Sequence, residues 1–152
     1  AEELASRLAE AKARRIAQDH PEALIIGSDQ AAVLHGRRVG KPGSHAAAVA
    51  QLNAASGQTM QFFTALCLLN AAANRRQLEV VPCSVTFRRL DAATIERYLQ
   101  REQPYGCAGA FKSEALGIAL MERLDGPDPT ALIGLPLMRL TQMLENEGVQ
   151  VV

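Results

Sequence analysis

The sequence predicts an α/β protein with a mixed β-sheet flanked by helices. Amphipathic segments and β-like runs interleave along 152 residues, without the regular alternation of strand and helix that produces a parallel sheet. A hydrophobic content of 48% and a charged content of 21% are typical of a globular chain long enough to bury a core. Because we find neither an internal repeat nor a low-complexity linker, we expect a single domain over residues 1–152.

Four segments have the pattern of helices. The first carries apolar side chains at helical spacing and ends before Pro21. Ser44 and Asp91 are suitable N-caps for the second and third helices, and Pro136 opens the last. The predicted helices cover residues 2–18, 45–55, 91–101 and 136–147.

Short apolar, β-branched and aromatic runs predict the strands. The first run ends in glycine at residue 27, and we expect a bend at Asp29 and Gln30 before it continues. Two longer runs are expected to pair as antiparallel neighbours, with Pro82 placing the middle of the second at an edge or a bulge. The predicted strands cover residues 24–28, 31–34, 58–70, 77–89 and 118–124.

The charge balance restricts the possible partners. Sixteen basic residues balance sixteen acidic ones, so there is no global field to attract nucleic acid or an anionic membrane. Only six residues are aromatic, four Phe and two Tyr, which also argues against a nucleic-acid-binding module. No run approaches the roughly 20 apolar residues of a membrane span, and none resembles a secretory leader, so we expect a cytoplasmic protein.

The cysteines and histidines have no catalytic or metal-binding pattern. Cys67, Cys83 and Cys107 are widely spaced and form no Cys-x-x-Cys pair, so we expect reduced, mostly buried thiols. The three histidines fall at a helix end, a turn and a helix start, where we expect them to be exposed. No combination of residues suggests a Ser-His-Asp or Cys-His catalytic set.

Several charged residues stand apart from the apolar framework. Hydrolysis of a phosphoanhydride needs cationic donors along the phosphates, a divalent cation, and a carboxylate that positions the metal or the water. Asp29 could supply the carboxylate, and Lys12 and Lys41 could hold phosphates. The alternatives are that Asp29 caps a turn, that both lysines are simply solvated, and that Glu114 pairs with Lys112 on the surface.

A second group of residues could recognise a nucleobase. Gln30 and Glu114 carry groups that discriminate between base edges, because a wrong base leaves them unpaired. A glutamate favours a base with donors, such as guanine. Phe111 could contact the base, and the alternative is that it belongs to the hydrophobic core.

Six short motifs follow one another along the chain. They are Ile-Ile-Gly-Ser-Asp-Gln at 25–30, Gly-Lys-Pro at 40–42, Phe-Phe-Thr at 62–64, Val-Thr-Phe-Arg at 85–88, Cys-Ala-Gly-Ala-Phe-Lys-Ser-Glu at 107–114 and Ile-Gly-Leu-Pro-Leu at 133–137. In order and spacing, over nearly the whole chain, they resemble the Maf family of nucleotide pyrophosphatases. The resemblance implies an extended mixed sheet flanked by helices, with two lobes around a cleft, in a fold similar to that of inosine triphosphatases.

The Ser-Asp-Gln and Phe-Lys-Ser-Glu forms are similar to the YceF-like branch of that family. The resemblance implies hydrolysis of 7-methyl-GTP between its α and β phosphates, giving the monophosphate and pyrophosphate, with a divalent cation such as Mg or Mn. The alternative function is that of a nucleotide-binding regulator of septum formation and cell division without significant catalysis. The nucleotide is the implied partner, and a homodimer stays open.

The resemblance also implies roles for individual residues. Asp29 matches the proton acceptor of the family, and Lys12 and Lys41 match lysines implicated in activity. Gln30 and Glu114 match positions that set substrate choice. Lys112 and Phe111 are further candidates for phosphate or base contacts. The metal ligands are unknown, with Asp29 as a candidate.

The chain also departs from the family pattern. Members begin with a strand and a Ser/Arg-rich loop that contacts the triphosphate, and we expect the domain to be N-terminally incomplete because no such segment is present. Ala65, Ala110 and Ala115 stand where this branch often has glycine or serine. The alanine beside Glu114 affects the expected substrate specificity more than the expected reaction.

Overall fold

The computed structural model of the protein describes residues 1–152. The helices are α1 (Glu2–Ala17), α2 (His45–Ala55), α3 (Ala92–Glu102) and α4 (Leu137–Asn146). The strands are β1 (Leu24–Leu34), β2 (Arg37–Val39), β3 (Thr59–Asn70), β4 (Arg75–Phe87) and β5 (Met121–Asp125). Short 3₁₀ turns occupy Ala108–Ala110, Leu116–Leu120 and Pro129–Ala131. No helix combines the length and the apolarity needed for a bilayer crossing.

The five strands form one sheet in the order β2-β1-β3-β4-β5. Strands β1 and β2 pair antiparallel, as do β4 and β5. A bond from the Ala71 amide to the Ala23 carbonyl brings the end of β3 beside the start of β1. Likewise, the Phe87 amide donates to the Gln58 carbonyl, so β3 and β4 also run in opposite directions.

The α/β class with four helices is thereby confirmed, and the sheet is antiparallel rather than mixed. The physical reason is that tight turns reverse the chain twice. Two residues separate β1 from β2, and four separate β3 from β4. Such short connections can join only antiparallel neighbours, since a parallel pair needs a crossover of a dozen or more residues.

The observed strands depart from the predicted ones most clearly at two places, in β1 and at the start of β5. Strand β1 passes through Asp29 and Gln30 without a break, so the predicted bend at these residues is wrong. The predicted strand over 118–124 begins later, because a 3₁₀ turn occupies Leu116–Leu120. That turn follows from Gly117, whose amide donates to the carbonyl of Lys112 at 3.0 Å and closes the chain on itself.

On the side of β4 that faces β5, Pro82 lies outside the paired residues. The pairing of β4 with β5 starts at Ser84, two residues further on. The missing amide hydrogen of the proline therefore removes no bond from that ladder.

The chain divides into two compact units. Unit 1 comprises Ala1–Gln30, Phe63–Pro82 and Gly126–Val152, and unit 2 comprises Ala31–Phe62 and Cys83–Asp125. In unit 1, Leu66 and Leu68 pack against Leu140 and Met143 of α4. In unit 2, α2 contacts α3. The fully buried side chains of unit 2 include Leu52, Phe62, Phe87, Ile95 and Leu99.

The cysteines and histidines behave as the sequence predicted. All three cysteines are free, with Cys67 and Cys83 buried and Cys107 half-buried. Burial raises the pKa of the Cys83 thiol to about 11. The histidines at 20, 35 and 45 are exposed.

Candidate active site

The candidate site of unit 1 begins with a close approach between α1 and β1. Ala5, Ala9 and Ala13 form a face of α1 with no exposed surface. A Cβ atom on Gly27 would lie 2.3 Å from the carbonyl oxygen of Ala9 and 3.0 Å from the Cβ of Ala13. Only glycine at this position leaves room for the helix backbone. The glycine of the first motif therefore positions α1 against β1.

This approach brings Lys12 to Asp29. The Lys12 ammonium donates to Asp29 Oδ1 at 2.6 Å and to the Ser28 carbonyl at 3.0 Å. The side chain of Asp29 is 19% exposed, whereas that of Lys12 is 57% exposed. The carboxylate is thus fixed by a charge-assisted hydrogen bond and remains accessible from solvent.

Ser28 anchors the same strand to its neighbours in unit 1. Its Oγ lies 2.6 Å from the Gly134 carbonyl and 2.9 Å from that of Ala65. A hydroxyl carries a single proton, so Oγ donates to one carbonyl at a time. The serine ties the motif at 133–137 to the strand that carries Asp29.

Gln30 is held through its amide nitrogen. Nε2 lies 2.8 Å from Thr64 Oγ1, 3.0 Å from the Ala131 carbonyl oxygen and 3.1 Å from that of Leu132, and its two N–H groups are shared among these three acceptors. Thr64 is fully buried and donates its own hydroxyl to the Ala131 carbonyl at 2.8 Å. Because carbonyls accept only, this network fixes which end of the amide carries nitrogen. The Oε1 atom has no donor within unit 1 and is available as an acceptor.

In unit 2, Lys41 lies on the loop between β2 and α2. The Gly40 carbonyl accepts from the Gly109 amide at 3.2 Å and from Gln51 Nε2 at 3.0 Å. The Gly43 amide donates to the Tyr105 carbonyl at 3.0 Å. The loop backbone is fixed on both sides of Lys41, whose side chain is exposed and has no ion-pair partner within this unit.

The small residues at 107–110 allow a tight backbone path. Gly109 has φ +70°, and a Cβ on it would lie 2.9 Å from the sulfur of Met60. Ala110 has φ +53°, which glycine adopts more readily than alanine. It is one of the three alanines at positions where related sequences were expected to have glycine or serine. Ala110 therefore holds a backbone conformation that is sterically less favourable for alanine than for glycine.

Phe111, Lys112 and Glu114 lie in three different environments. Phe111 is 6% exposed and packs edge-on against Phe87, with ring centroids 5.0 Å apart, so it lies in the core of unit 2. Lys112 donates its amide to the hydroxyl of Tyr98 at 3.1 Å. Its ammonium lies 3.5 Å from Glu102 Oε1, and the salt-bridge partner of Lys112 is therefore Glu102 rather than Glu114. Glu114 is exposed, with Oε2 3.4 Å from Ser113 Oγ.

The structure thus groups the sequence candidates in two sets. Lys12, Asp29 and Gln30 come together in unit 1. In unit 2, the bond between Gly109 and Gly40 joins the Lys41 loop to the segment that carries Lys112 and Glu114. Sequence reasoning did not assign functions to Gly27, Ser28 and Thr64. For Gly27 and Ser28, the sequence signal that could have identified them was their position directly before the candidate carboxylate Asp29.

The oxygen ligands available at Asp29 suit a divalent metal ion whose other ligands come mainly from the substrate. No group of three or more His, Cys, Asp or Glu side chains that could hold a metal lies within the structure. Mg²⁺ in phosphate-processing sites commonly takes one or two carboxylates and completes its shell with substrate phosphates and water. A single accessible carboxylate is compatible with that mode and not with an all-protein cage.

Comparison with known proteins identifies the family of the chain. A family model described as Maf-like protein matches residues 1–147. A protein of Nitrosococcus oceani named 7-methyl-GTP pyrophosphatase is 55% identical over 150 residues, covering 99% of this chain and 75% of that protein. A protein of Thiobacillus denitrificans with the same name is 56% identical over 147 residues, covering 97% of this chain and 73% of its own length. This chain belongs to the Maf family.

Proposed function

We propose that the protein hydrolyses a nucleoside triphosphate to the monophosphate and pyrophosphate, with 7-methyl-GTP as its substrate and residues 1–152 as part of one catalytic domain. The observation that carries the proposal is the Lys12–Asp29 pair, which holds an accessible carboxylate in a fixed position beside a cation. The names of relatives more than half identical to this chain favour the same reaction.

Asp29 would act as the proton acceptor. Its Oδ1 atom is occupied by Lys12, and Oδ2 has no donor within unit 1, so Oδ2 can accept a proton from water. The water oxygen forms a bond to the α-phosphorus, the bond from that phosphorus to the bridging oxygen breaks, and pyrophosphate leaves with the bonding electrons. Lys12 keeps the carboxylate oriented and adds a positive charge near the developing negative charge.

Asp29 is also the residue that would hold a divalent cation together with the substrate phosphates. When bound, such an ion offsets the negative charge of the phosphate chain. The exposed ammonium group of Lys41 and the partly exposed one of Lys112 in unit 2 would supply phosphate donors from the protein itself. Lys112 is partly engaged by Glu102, which leaves Lys41 as the more available of the two.

Gln30 and Glu114 would select the base. Gln30 Oε1 is a fixed acceptor, because the nitrogen of the same amide is held by the protein. Guanine offers an amino group and a ring N–H as donors, and a carboxylate such as that of Glu114 accepts both well. Phe111 supports this segment from the core, and its burial argues against stacking on the base.

The conservative variant Asp29→Asn tests the reaction. The asparagine keeps the shape of the side chain but is a far weaker base, so pyrophosphate release from 7-methyl-GTP should fall by about 10²-fold or more. The matched control is Asp19→Asn, because Asp19 is also paired with a basic residue of α1 but is 68% exposed. Normal turnover by Asp29→Asn, with the control also active, would contradict the role of Asp29.

A substrate panel tests the specificity and the alternative function. Pyrophosphate release is measured from 7-methyl-GTP, GTP, UTP and dTTP, each with magnesium and with manganese. Preference for UTP over both guanine nucleotides would refute the roles of Gln30 and Glu114. Binding of nucleotide without any product would favour the regulatory alternative.

We propose the cytoplasm as the location of this activity. Its substrate would belong to the intracellular nucleotide pool, and three free cysteines suit a reducing compartment.

A further inference from the structure

Three arginines of unit 2 surround a small cavity that contains none of the candidate site residues. Arg88, Arg97 and Arg101 line a space of about 220 Å³ whose wall includes Tyr98 and Leu120. All three arginines are exposed, and Tyr98 and Leu120 are buried. We call this feature the arginine pocket.

The local structure explains why the arginines converge. Arg97 and Arg101 are four residues apart on α3 and therefore project from one face of the helix. Thr94 lies on the same face, and its Oγ1 accepts from Arg97 Nη2 at 3.1 Å. Arg88 follows β4, where its amide donates to the Leu120 carbonyl at 3.1 Å and fixes the backbone beside the pocket.

The positive charge of the pocket is not neutralised within unit 2. None of the three arginines forms a salt bridge there, although two like charges at a spacing of four residues disfavour the helix. The acidic residues of α3 have other partners, since Glu96 pairs with His45 and the carboxylate of Glu102 faces Lys112.

Asp91 is a further carboxylate near the arginines. Its Oδ1 accepts from the Thr94 amide at 2.7 Å as the N-cap of α3. Hydrogen bonds from Thr94 lower the pKa of Asp91 most, and the charges of Arg97 and Arg88 contribute less. The charges of the arginines therefore act on Asp91, but its hydrogen bonds come from Thr94 at the start of the helix. Asp91 does not neutralise the arginines, and the pocket keeps an excess of positive charge.

We propose that the arginine pocket binds a polyphosphate anion, either inorganic pyrophosphate or the phosphate chain of a nucleotide. Guanidinium groups bind phosphate oxygens in a planar, two-pronged geometry that lysine cannot provide. Several arginines around one space suit a ligand with several negative charges. The cavity admits a short phosphate chain. None of the unit 2 candidates Lys41, Lys112 and Glu114 lines this pocket.

An NMR titration of the ¹⁵N-labelled chain tests the proposal, with inorganic pyrophosphate as the first probe and a nonhydrolysable nucleoside triphosphate as the second. We expect resonances of Arg88, of residues 94–101 and of residues 116–120 to shift as pyrophosphate is added. The double variant Arg97→Gln/Arg101→Gln should bind at least about tenfold more weakly at these resonances. The control Arg7→Gln removes an exposed arginine from α1 of unit 1 and should leave the shifts unchanged.

The outcomes separate this proposal from the proposed catalytic function. Shifts at the pocket that persist in Asp29→Asn would locate the anion independently of the catalytic carboxylate. Pocket shifts with the nucleotide alone would identify a nucleotide phosphate chain as the ligand, and shifts with both probes would identify polyphosphate itself. Equal affinity in the double variant, or shifts confined to residues around Lys12 and Asp29, would overturn the proposal.

Discussion

Lys12 Nζ lies 2.6 Å from Asp29 Oδ1, and this pair connects α1 to the middle of β1. The lysine is more than half exposed, so solvent screening leaves little net stabilisation in the ion pair. Its position nevertheless depends on buried contacts, because the alanine face of α1 packs on the strand at Gly27. The core of unit 1 therefore places an accessible carboxylate and its cation with little freedom.

Replacing Lys12 with methionine should reduce activity while preserving the fold. Methionine keeps an unbranched apolar stem but removes the ammonium group, so Asp29 loses its orienting partner. We expect kcat/KM for 7-methyl-GTP to fall by about 10²-fold and the free energy of unfolding to change by less than about 1 kcal/mol. Arg15→Met is the control, because it breaks an exposed pair with Asp19 on the same helix. Unchanged kcat/KM in Lys12→Met would show that the pair has no role in the reaction.

Adding a single methyl group at Gly27 should impair both stability and activity. The Cβ of Gly27→Ala would lie 2.3 Å from the Ala9 carbonyl oxygen, so α1 must move away from β1. We expect a loss of about 1–3 kcal/mol in the free energy of unfolding, with reduced kcat because Lys12 moves with the helix. Gly106→Ala is the control, since nothing lies within 4 Å of the added atom. Denaturant unfolding and pyrophosphate release measure the two effects, and a fully stable Gly27→Ala protein would contradict the steric argument.

Thr64 should contribute to specificity through Gln30. In Thr64→Val the amide of Gln30 loses one acceptor but keeps the Ala131 and Leu132 carbonyls, so the side chain becomes less strongly held. We expect the ratio of kcat/KM for 7-methyl-GTP to that for UTP to fall severalfold. Thr59→Val in the same strand removes an exposed hydroxyl contact with Thr86 and serves as the control. An unchanged ratio would indicate that Gln30 takes no part in base selection.

The helices were predictable because their signals are local. Ser44 accepts from the Ala47 amide at 3.2 Å, and Asp91 accepts from the Thr94 amide at 2.7 Å, as expected of N-caps. The predicted helix over 45–55 has the observed bounds of α2. The continuity of β1 was not predictable in this way, because the polar residues Asp29 and Gln30 are accommodated by partners far away in sequence.

The candidate site was likewise predictable only in part, because some of its features depend on neighbouring residues and others on contacts between distant parts of the sequence. The motif at 25–30 identified Asp29, but no local pattern indicated that Lys12 would be its partner or that Gly27 would permit the contact. The convergence of Arg88 with Arg97 and Arg101 also required the fold, since the first follows a strand and the others lie on a helix. Residue types pointed to the chemistry, and long-range packing determined which residues act together.

Glycine at position 103 should stabilise unit 2. Gln103 ends α3 in the left-handed conformation, with φ +50° and ψ +53°, and its side chain is exposed. Glycine adopts this conformation without steric cost, so Gln103→Gly should increase the free energy of unfolding by about 1 kcal/mol. Gln100→Gly, three residues earlier within the helix, should decrease it by about the same amount. A destabilised Gln103→Gly protein in thermal unfolding would be inconsistent with the strain assigned to this residue.

Glu147 should make the stability of unit 1 depend on acid pH. Its side chain is 3% exposed, and Oε2 accepts from Arg75 Nη2 at 2.7 Å and from Asn70 Nδ2 at 2.9 Å. The bond from Arg75, followed by that from Asn70, lowers the pKa of the carboxyl below its usual value. A carboxyl whose pKa is lower in the folded state stabilises the fold above the pKa of the unfolded state, about 4.3, and loses this contribution as the pH falls through the folded value.

Glu147→Gln should therefore be less stable than the parent at pH 7, with the difference shrinking as the pH falls below the unfolded-state pKa of about 4.3 toward pH 3. Denaturant unfolding of both proteins across this range measures the effect. The control is Glu145→Gln, which removes an exposed carboxylate without a side-chain partner within unit 1. We expect this control to follow the pH dependence of the parent. A difference for Glu147→Gln that stays constant down to pH 3 would mean that shape and packing, rather than the charge of this carboxylate, stabilise the contact with Arg75.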